Sequence, residues 1–223
     1  MRLQAALVAL WMVGAAQAAP ARAQERPGAV YVAAGVAAVR QDGAADGDFQ
    51  IYITAPGGTT PGWAVAAGVF VRAWLSIEGE LSTTGTFHAR EPARYGMTYR
   101  EERRDRLIGA LVRLHIRPGR RLDIEPVGGV AAVRHDRWSQ AETYRSWLPP
   151  DQAVEIGPRI RSETLTGLAA IGGIDIRAGG RHVALVPSFR ARVGTRGDRI
   201  EWYYPGGFPR WTLAAGVYVR VDF

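Results

Sequence analysis

Hydrophobic and polar residues alternate with period two along much of the chain, most clearly near its end. Apolar residues occupy every second position from Leu213 to Phe223, and the charged residues of this segment, Arg220 and Asp222, fall on the other set. Successive side chains of a β-strand point to opposite faces, so this spacing predicts a strand with one apolar and one polar face. The segment from Val183 to Val193 repeats the division.

Eight segments in all carry this alternation or can be phased with it. They predict strands near 30–39, 62–72, 73–84, 105–117, 121–134, 163–177, 181–194 and 211–223. The joins between them alternate between tight turns and long polar loops, and the long loops are 40–61, 85–104, 135–162 and 195–210. The sequence therefore predicts an all-β fold, a closed up-and-down antiparallel transmembrane barrel of eight strands, with both termini at the short-turn end.

The direction of the apolar face decides between a membrane barrel and a soluble one. A soluble, lipocalin-like barrel buries its apolar face, whereas a membrane barrel turns that face to lipid. Water-facing positions normally carry lysine and other long polar side chains, yet the chain has no lysine and its polar set includes small residues such as Gly68, Gly109 and Ala184. Aromatic residues also cluster toward the outer ends, namely Trp63, Trp138, Trp202, Tyr203, Tyr204 and Trp211. Both features favour the transmembrane orientation, because aromatic girdles mark membrane interfaces.

In that orientation, charged side chains of both signs face the inside of the barrel. The predicted lumen ion-pair network comprises Arg72, Glu78, Glu80, Arg113, Arg117, Asp123, Glu125, Asp175, Arg177, Arg190, Arg192, Arg220 and Asp222. Enclosed charges are costly unless they are paired, and arginine can bind a carboxylate through two parallel hydrogen bonds. An eight-stranded barrel is only wide enough for its side chains to fill, so we expect a plugged lumen. A narrow, charge-gated channel is the alternative.

The N-terminus and the composition place the protein outside the cytoplasm. A short basic start and an apolar run through Ala16 predict a signal peptide over 1–23, followed by an outer-membrane barrel domain over 24–223. A buried N-terminal helix is the alternative interpretation. There is no cysteine, which excludes a disulfide framework and a thiolate metal site. The formal charge of +7 comes with scattered arginines in an exported chain, so we expect no nucleic-acid partner.

The end of the chain carries the most specific pattern. Gly216, Val219, Val221 and Phe223 match part of the C-terminal insertion signal of the small eight-stranded outer-membrane β-barrel family, which includes the transmembrane domain of OmpA and OmpX. Ala214 and the two valines depart from that signal, which prefers a polar residue and aromatics there. The chain resembles this family over its mature length, without the periplasmic peptidoglycan-binding domain of full-length OmpA. The resemblance implies a monomer with a structural or surface-interaction role, contacts with outer-membrane lipids and lipopolysaccharide, and recognition by the barrel-assembly machinery during insertion.

The sequence gives weak support for an enzymatic or metal-binding role. A lipid-modifying enzyme, such as a lipid A deacylase or acyltransferase, would need a histidine near a serine or carboxylate at the membrane rim. His88 and His135 fall in predicted loops, and His115 and His182 fall in the predicted lumen. The acidic run 42–48 lacks the later glutamate of a calcium loop. We therefore expect no enzyme activity, no cofactor and no metal site, and the sequence indicates no ligand for the loops.

An arginine-rich segment from Arg90 to Arg106 forms part of the second predicted loop. It could bridge the phosphates of lipopolysaccharide. Because it also contains Glu91, Glu101, Glu102 and Asp105, a solvated loop that pairs its own charges is the alternative.

Overall fold

The protein is an antiparallel β-structure in a computed structural model that describes residues 27–41, 57–91, 97–116, 122–144, 154–180, 182–194 and 211–223. The described residues include no helix long and apolar enough to cross a membrane. The predicted signal peptide, residues 42–56 and 195–210 of two predicted loops, and Arg117 lie outside the described residues.

Ten strands make up the described structure. Their bounds are β1 Val30–Gln41, β2 Gly58–Arg72, β3 Leu75–Thr84, β4 Phe87–Glu91, β5 Met97–Leu114, β6 Leu122–Tyr144, β7 Val154–Ile156, β8 Ile160–Gly179, β9 Val183–Gly194 and β10 Trp211–Asp222.

The strands close into a barrel of eight walls. Strand β4 continues β3 along β5, and β7 continues β8 along β6, so these short strands extend existing walls. The remaining neighbours pair in chain order, and β10 pairs antiparallel with β1 to complete the circle. The prediction of a closed eight-stranded up-and-down barrel is confirmed.

Two of the predicted long loops are largely strand. The predicted loop 85–104 contains β4 and the first half of β5, and the predicted loop 135–162 contains the second half of β6, β7 and the start of β8. These extensions rise above the apolar part of the barrel, where both faces of a strand carry polar residues. Neither face needs to be apolar there, so the alternation of apolar and polar residues disappears. The sequence pattern therefore predicted loops where the structure has strands.

The alternation of faces along the strands follows the predicted phase. Strand β9 exposes Leu185, Phe189 and Val193 and buries Val186 and Arg190. On β9 the exposed apolar side chains therefore lie on the outside of the barrel, and Arg190 and Arg192 lie on the inside.

Glycines on the inner face make room for two large tyrosines. Tyr31 on β1 lies opposite Gly68 on β2, and Tyr218 on β10 lies opposite Gly35 on β1. Tyr31 is 1 % exposed, and a Cβ atom at Gly68 would overlap its phenol ring. Each tyrosine thus lies across the backbone of its neighbour and fills the lumen with aromatic volume.

We expect Gly68→Ala to lower the free energy of unfolding by about 1–3 kcal/mol, because the added methyl group must displace a ring held by hydrogen bonds. Gly79→Ala on β3 is the matched control, since a Cβ atom there meets nothing within 4 Å. Urea unfolding of both variants in detergent measures the difference. Equal stabilities would show that Tyr31 can move at no cost.

Candidate functional site

The inside of the barrel holds a connected set of buried ion pairs, which we call the lumen network. Arg113 on β5 lies at its centre and is 4 % exposed. Its Nη1 donates to Glu125 at 2.9 Å and to Asp175 at 2.5 Å, while Nη2 donates to Glu78 at 2.8 Å. One guanidinium therefore joins three carboxylates that come from β3, β6 and β8.

Arg220 on β10 is the second arginine that links carboxylates inside the barrel. Its Nη1 donates to Glu125 at 3.0 Å, and its Nε donates to Asp222 at 2.8 Å. The guanidinium carbon lies 3.8 Å from the centre of the Tyr31 ring, which is within the range of a cation–π contact. Tyr31 in turn donates to Glu78 at 2.9 Å, so aromatic and ionic groups form one block.

Toward the outer end, Arg190 and Arg192 continue the network from β9. Arg190 donates to Asp175 at 2.9 Å and pairs with Glu80. Arg192 donates to Ser82 at 3.3 Å and lies 3.9 Å from Glu80. At the short-turn end, Arg177 donates to Asp123 at 3.3 Å and to Asp222 at 3.2 Å.

One residue expected in the lumen is not there. Arg72 is exposed next to the turn at Ala73–Trp74, where the pairing of β2 with β3 shifts register between Phe70 and Arg72. This bulge changes the phase of the strand by one residue and turns Arg72 outward. The sequence prediction assumed that side chains alternate without interruption to the end of the strand. Because the bulge interrupts the alternation, the prediction for Arg72 was wrong.

Sequence reasoning missed a serine that completes a three-residue chain. Ser76 Oγ lies 2.9 Å from His115 Nε2, and His115 Nδ1 lies 2.9 Å from Glu125 Oε1. These are the contacts of a Ser–His–Glu catalytic triad, but Ser76 is 0 % exposed and Tyr31 Oη lies 3.1 Å from its hydroxyl. Enclosed in this way, the three side chains cross-link the lumen. The alternation of the sequence places Ser76 and Glu125 on the inner faces of β3 and β6, and His115 in the same phase just after β5, but it does not show that the three side chains meet.

A second histidine lies at the outer end of the lumen. His135, predicted to lie in a loop, belongs to β6 and is 7 % exposed. Its Nδ1 lies 2.6 Å from Asp105, which also accepts from Gln41 and lies 3.4 Å from Arg103. A cavity of about 30 Å³, large enough to admit water, is lined by His135 and Asp105 together with Arg192 and Thr212.

The arginine-rich segment is also part of a strand and divides its charges between two faces. Glu101, Arg103 and Asp105 are buried on the inner face of β5, whereas Arg104 and Arg106 are exposed on its outer face. His88 belongs to β4, where it lies 3.7 Å from Glu102. The described residues include no group of three or more histidines, cysteines or carboxylates that could hold a metal ion.

The four residues of the proposed insertion signal lie on or just after β10. Gly216 faces inward, where a Cβ atom would meet the backbone of β1. Val219 and Val221 belong to the opposite face, and the backbone nitrogen of Phe223 donates to Val30 at 2.9 Å. The last residue is therefore held in the seam between the first and last strands.

Comparison with known proteins identifies the fold. No family model and no curated protein matches the sequence. A major outer membrane protein from Thermus thermophilus is similar in structure, with a TM-score of 0.52, 12 % identity, and 87 % of this chain and 99 % of that chain covered. Neisserial surface protein A gives a TM-score of 0.47 at 14 % identity, covering 87 % of this chain and 97 % of that chain. Outer membrane protease OmpT from Escherichia coli gives 0.44 at 8 % identity, covering 89 % and 98 %. The chain has the fold of an outer-membrane β-barrel.

Proposed function

We propose that the protein is an integral outer-membrane barrel with a structural or surface-interaction role. The observation that carries this proposal is the exposed apolar face of the closed barrel. Val36, Ile108, Val130, Leu168 and Phe189 are between 54 % and 68 % exposed and come from five different strands. An apolar surface that surrounds the barrel is unstable in water, because soluble proteins rarely expose large continuous apolar patches. Hydrocarbon is the solvent that this surface fits.

The filled lumen supports a scaffold more than a pore. Tyr31, Arg113 and Arg220 cross the barrel and are each no more than 4 % exposed. Opening a path through them would separate several buried charges from their partners, which costs several kcal/mol for each pair. The barrel then serves as a rigid support for the strands and loops at its outer end.

Export, assembly and partners follow from the same proposal. A signal peptide over 1–23 would direct the chain across the inner membrane, and the barrel over 24–223 would then insert as a monomer. Outer-membrane lipids and lipopolysaccharide are its expected surroundings, with no cofactor, metal or nucleic acid. The barrel-assembly machinery is its expected partner during insertion.

Membrane fractionation combined with a heat-modifiability gel tests the proposal. The protein should enter the outer-membrane fraction, and an unboiled sample should migrate differently from a boiled one, because a folded barrel resists unfolding by detergent. Recovery of the processed protein from the soluble periplasm would overturn the proposal.

Conductance measurements distinguish the scaffold from the narrow channel. In planar bilayers we expect no ohmic current from the folded protein, because the lumen network blocks the axis. The current is compared with that of Arg113→Ala, which lacks the central guanidinium of the lumen network. Steady single-channel current from the unaltered protein would favour the channel.

The insertion signal can be tested at its last residue. Deleting Phe223 should reduce the folded, heat-modifiable fraction in cells several-fold, while the purified variant still refolds in detergent. This split is expected if Gly216, Val219, Val221 and Phe223 act through the assembly machinery. Equal losses in cells and in detergent would mean that Phe223 contributes to stability alone.

A second candidate function is lipid modification, and His135 is the observation that favours it. A carboxylate behind a histidine orients the imidazole as a general base, and the Asp105–His135 pair borders a cavity at the outer end of the barrel. If the enzyme exists, purified lipopolysaccharide should lose acyl chains, and His135→Ala should abolish the turnover. The control His88→Ala, an exposed histidine on β4, should retain it. Absence of turnover by the unaltered protein would eliminate this candidate.

A further inference from the structure

One carboxylate on the outer face of the barrel is buried under arginines. Asp136 belongs to the lipid-facing side of β6, yet its side chain is 0 % exposed. Arg134 Nε donates to its Oδ1 at 3.1 Å, Thr164 Oγ1 donates to the same oxygen at 3.1 Å, and Arg106 Nε lies 3.9 Å from Oδ2. Arg104 lies directly opposite Asp136 in the pairing of β5 with β6. We call Arg104, Arg106, Arg134 and Asp136 the outer arginine cluster.

The cluster places like charges side by side. Arg106 and Arg134 are directly opposite each other on neighbouring strands, an arrangement that is destabilising without a compensating charge. Asp136 supplies one negative charge to three arginines. The next carboxylate outward on β5, Glu102, is already paired with Arg159 and lies near His88. The outer arginine cluster therefore keeps an excess of positive charge.

The two central arginines have donors that point away from the carboxylate. Both approach Asp136 through Nε, and their side chains are 57 % and 47 % exposed for Arg106 and Arg134. Within the described ranges, the Nη atoms of these two residues make no hydrogen bond. Asp136 thus accepts a hydrogen bond from the Arg134 guanidinium and lies within ion-pair distance of the Arg106 guanidinium, and the outer edges of both groups stay available for an anion. Guanidinium edges of this kind match the oxygens of a phosphate group.

The position of the cluster indicates what carries that phosphate. Ile108 lies two residues from Arg106 toward the short-turn end of β5 and is 67 % exposed, and Leu168 on β8 is 62 % exposed. Trp138, two residues beyond Asp136 on the same face, has the Arg159 guanidinium 4.8 Å above its ring. An occupant of this site would contact arginine at one end and apolar side chains at the other. That is the chemistry of a phosphorylated, acylated lipid at the membrane interface.

We infer that the outer arginine cluster binds a phosphate of a lipid A-type glycolipid, with Arg106 and Arg134 as the contacting residues, Asp136 as a positioning residue, and the acyl chains along the apolar face beside Ile108 and Leu168. The inference rests on the proposed outer-membrane location. It assigns the barrel a fixed lipid contact on the β5–β6–β8 side, where the strands rise highest above the apolar band.

Binding of purified lipid A to the folded protein in detergent tests the site. The unaltered protein should bind bisphosphorylated lipid A at least about tenfold more tightly than the same acylated disaccharide without phosphates, because charge-assisted hydrogen bonds are lost. The double variant Arg106→Gln/Arg134→Gln should lose that preference. The control Arg40→Gln/Arg72→Gln removes equal charge from exposed positions elsewhere and should keep it.

Each result decides the inference separately from the proposed function. Equal binding of the two lipids by the unaltered protein would overturn the phosphate site even if the double variant failed to fold. A preference that survives in a folded, heat-modifiable double variant would overturn the assignment to Arg106 and Arg134. Fractionation of the unaltered protein tests the outer-membrane location independently of either result.

Discussion

Arg113→Ala is expected to lower the free energy of unfolding by about 3–5 kcal/mol at neutral pH, which is the usual cost of removing one partner from a buried ion pair. The variant leaves Glu78, Glu125 and Asp175 facing one another without their shared guanidinium. Urea unfolding in detergent or lipid vesicles measures the loss. The loss should decrease in acid, because a protonated carboxyl group no longer requires a positive partner.

Two further variants separate charge from geometry at this position. Arg113→Lys keeps the positive charge but cannot reach three carboxylates with a planar fork, so an intermediate loss is expected. Arg72→Ala, at an exposed position beside a turn, should change stability by no more than about 0.5 kcal/mol. A loss below about 1 kcal/mol for Arg113→Ala would contradict the view that the lumen network holds the barrel closed.

Val130→Arg is expected to cost about 2–4 kcal/mol of folding free energy in a lipid bilayer, because it places a charge on the outer face near the middle of the apolar band. Val130 is 62 % exposed and pairs with Ala110 on β5 and Ala170 on β8, and the nearby outer-face residues Ile108, Val112 and Leu168 are exposed and apolar. On a soluble barrel the same exposed position would tolerate arginine with little change. Reversible unfolding from phospholipid vesicles measures the cost.

The depth of the substitution provides the control. Thr59→Arg lies on the outer face of β2, four residues beyond Trp63 toward the outer end, and should cost no more than about 1 kcal/mol, including the repulsion from Arg40 directly opposite on β1. Val130→Leu keeps the apolar character and should be nearly neutral. Equal costs for the two arginine variants would show that the outer face does not contact hydrocarbon.

Most of the fold could be predicted because a single periodic signal carries it. On β9 the two sets of positions alternate without interruption, and the buried positions belong to the set that carries the arginines. The same count placed Glu78, Arg113 and Glu125 on the inner face, since facing depends only on strand phase. It went wrong at Arg72, where a bulge changes the phase, and above Arg106, where both faces of the strands are polar.

The partners inside the lumen could not be predicted from strand phase. Ser76 and His115 are 39 residues apart and meet only because β3 pairs with β5 in one register. Asp136 lies on the outer face, where the periodic pattern assigns no buried charge, and it is covered because β5 and β8 bring Arg106 and Thr164 against it. The register between strands and the curvature of the barrel determine these contacts. The alternation of apolar and polar residues along one strand contains no information about either.

The sequence by itself determined the number of walls in the barrel and, where the strands are regular, which side chains face inward, because the period of two is a local property of the backbone within each segment. Only the tertiary structure decided how high the strands rise, which carboxylate each arginine binds, and that an acidic residue lies buried beneath arginines on the outer surface. Those features depend on how strands distant in the chain align, and an ion pair gains its energy from the distance between its atoms in space.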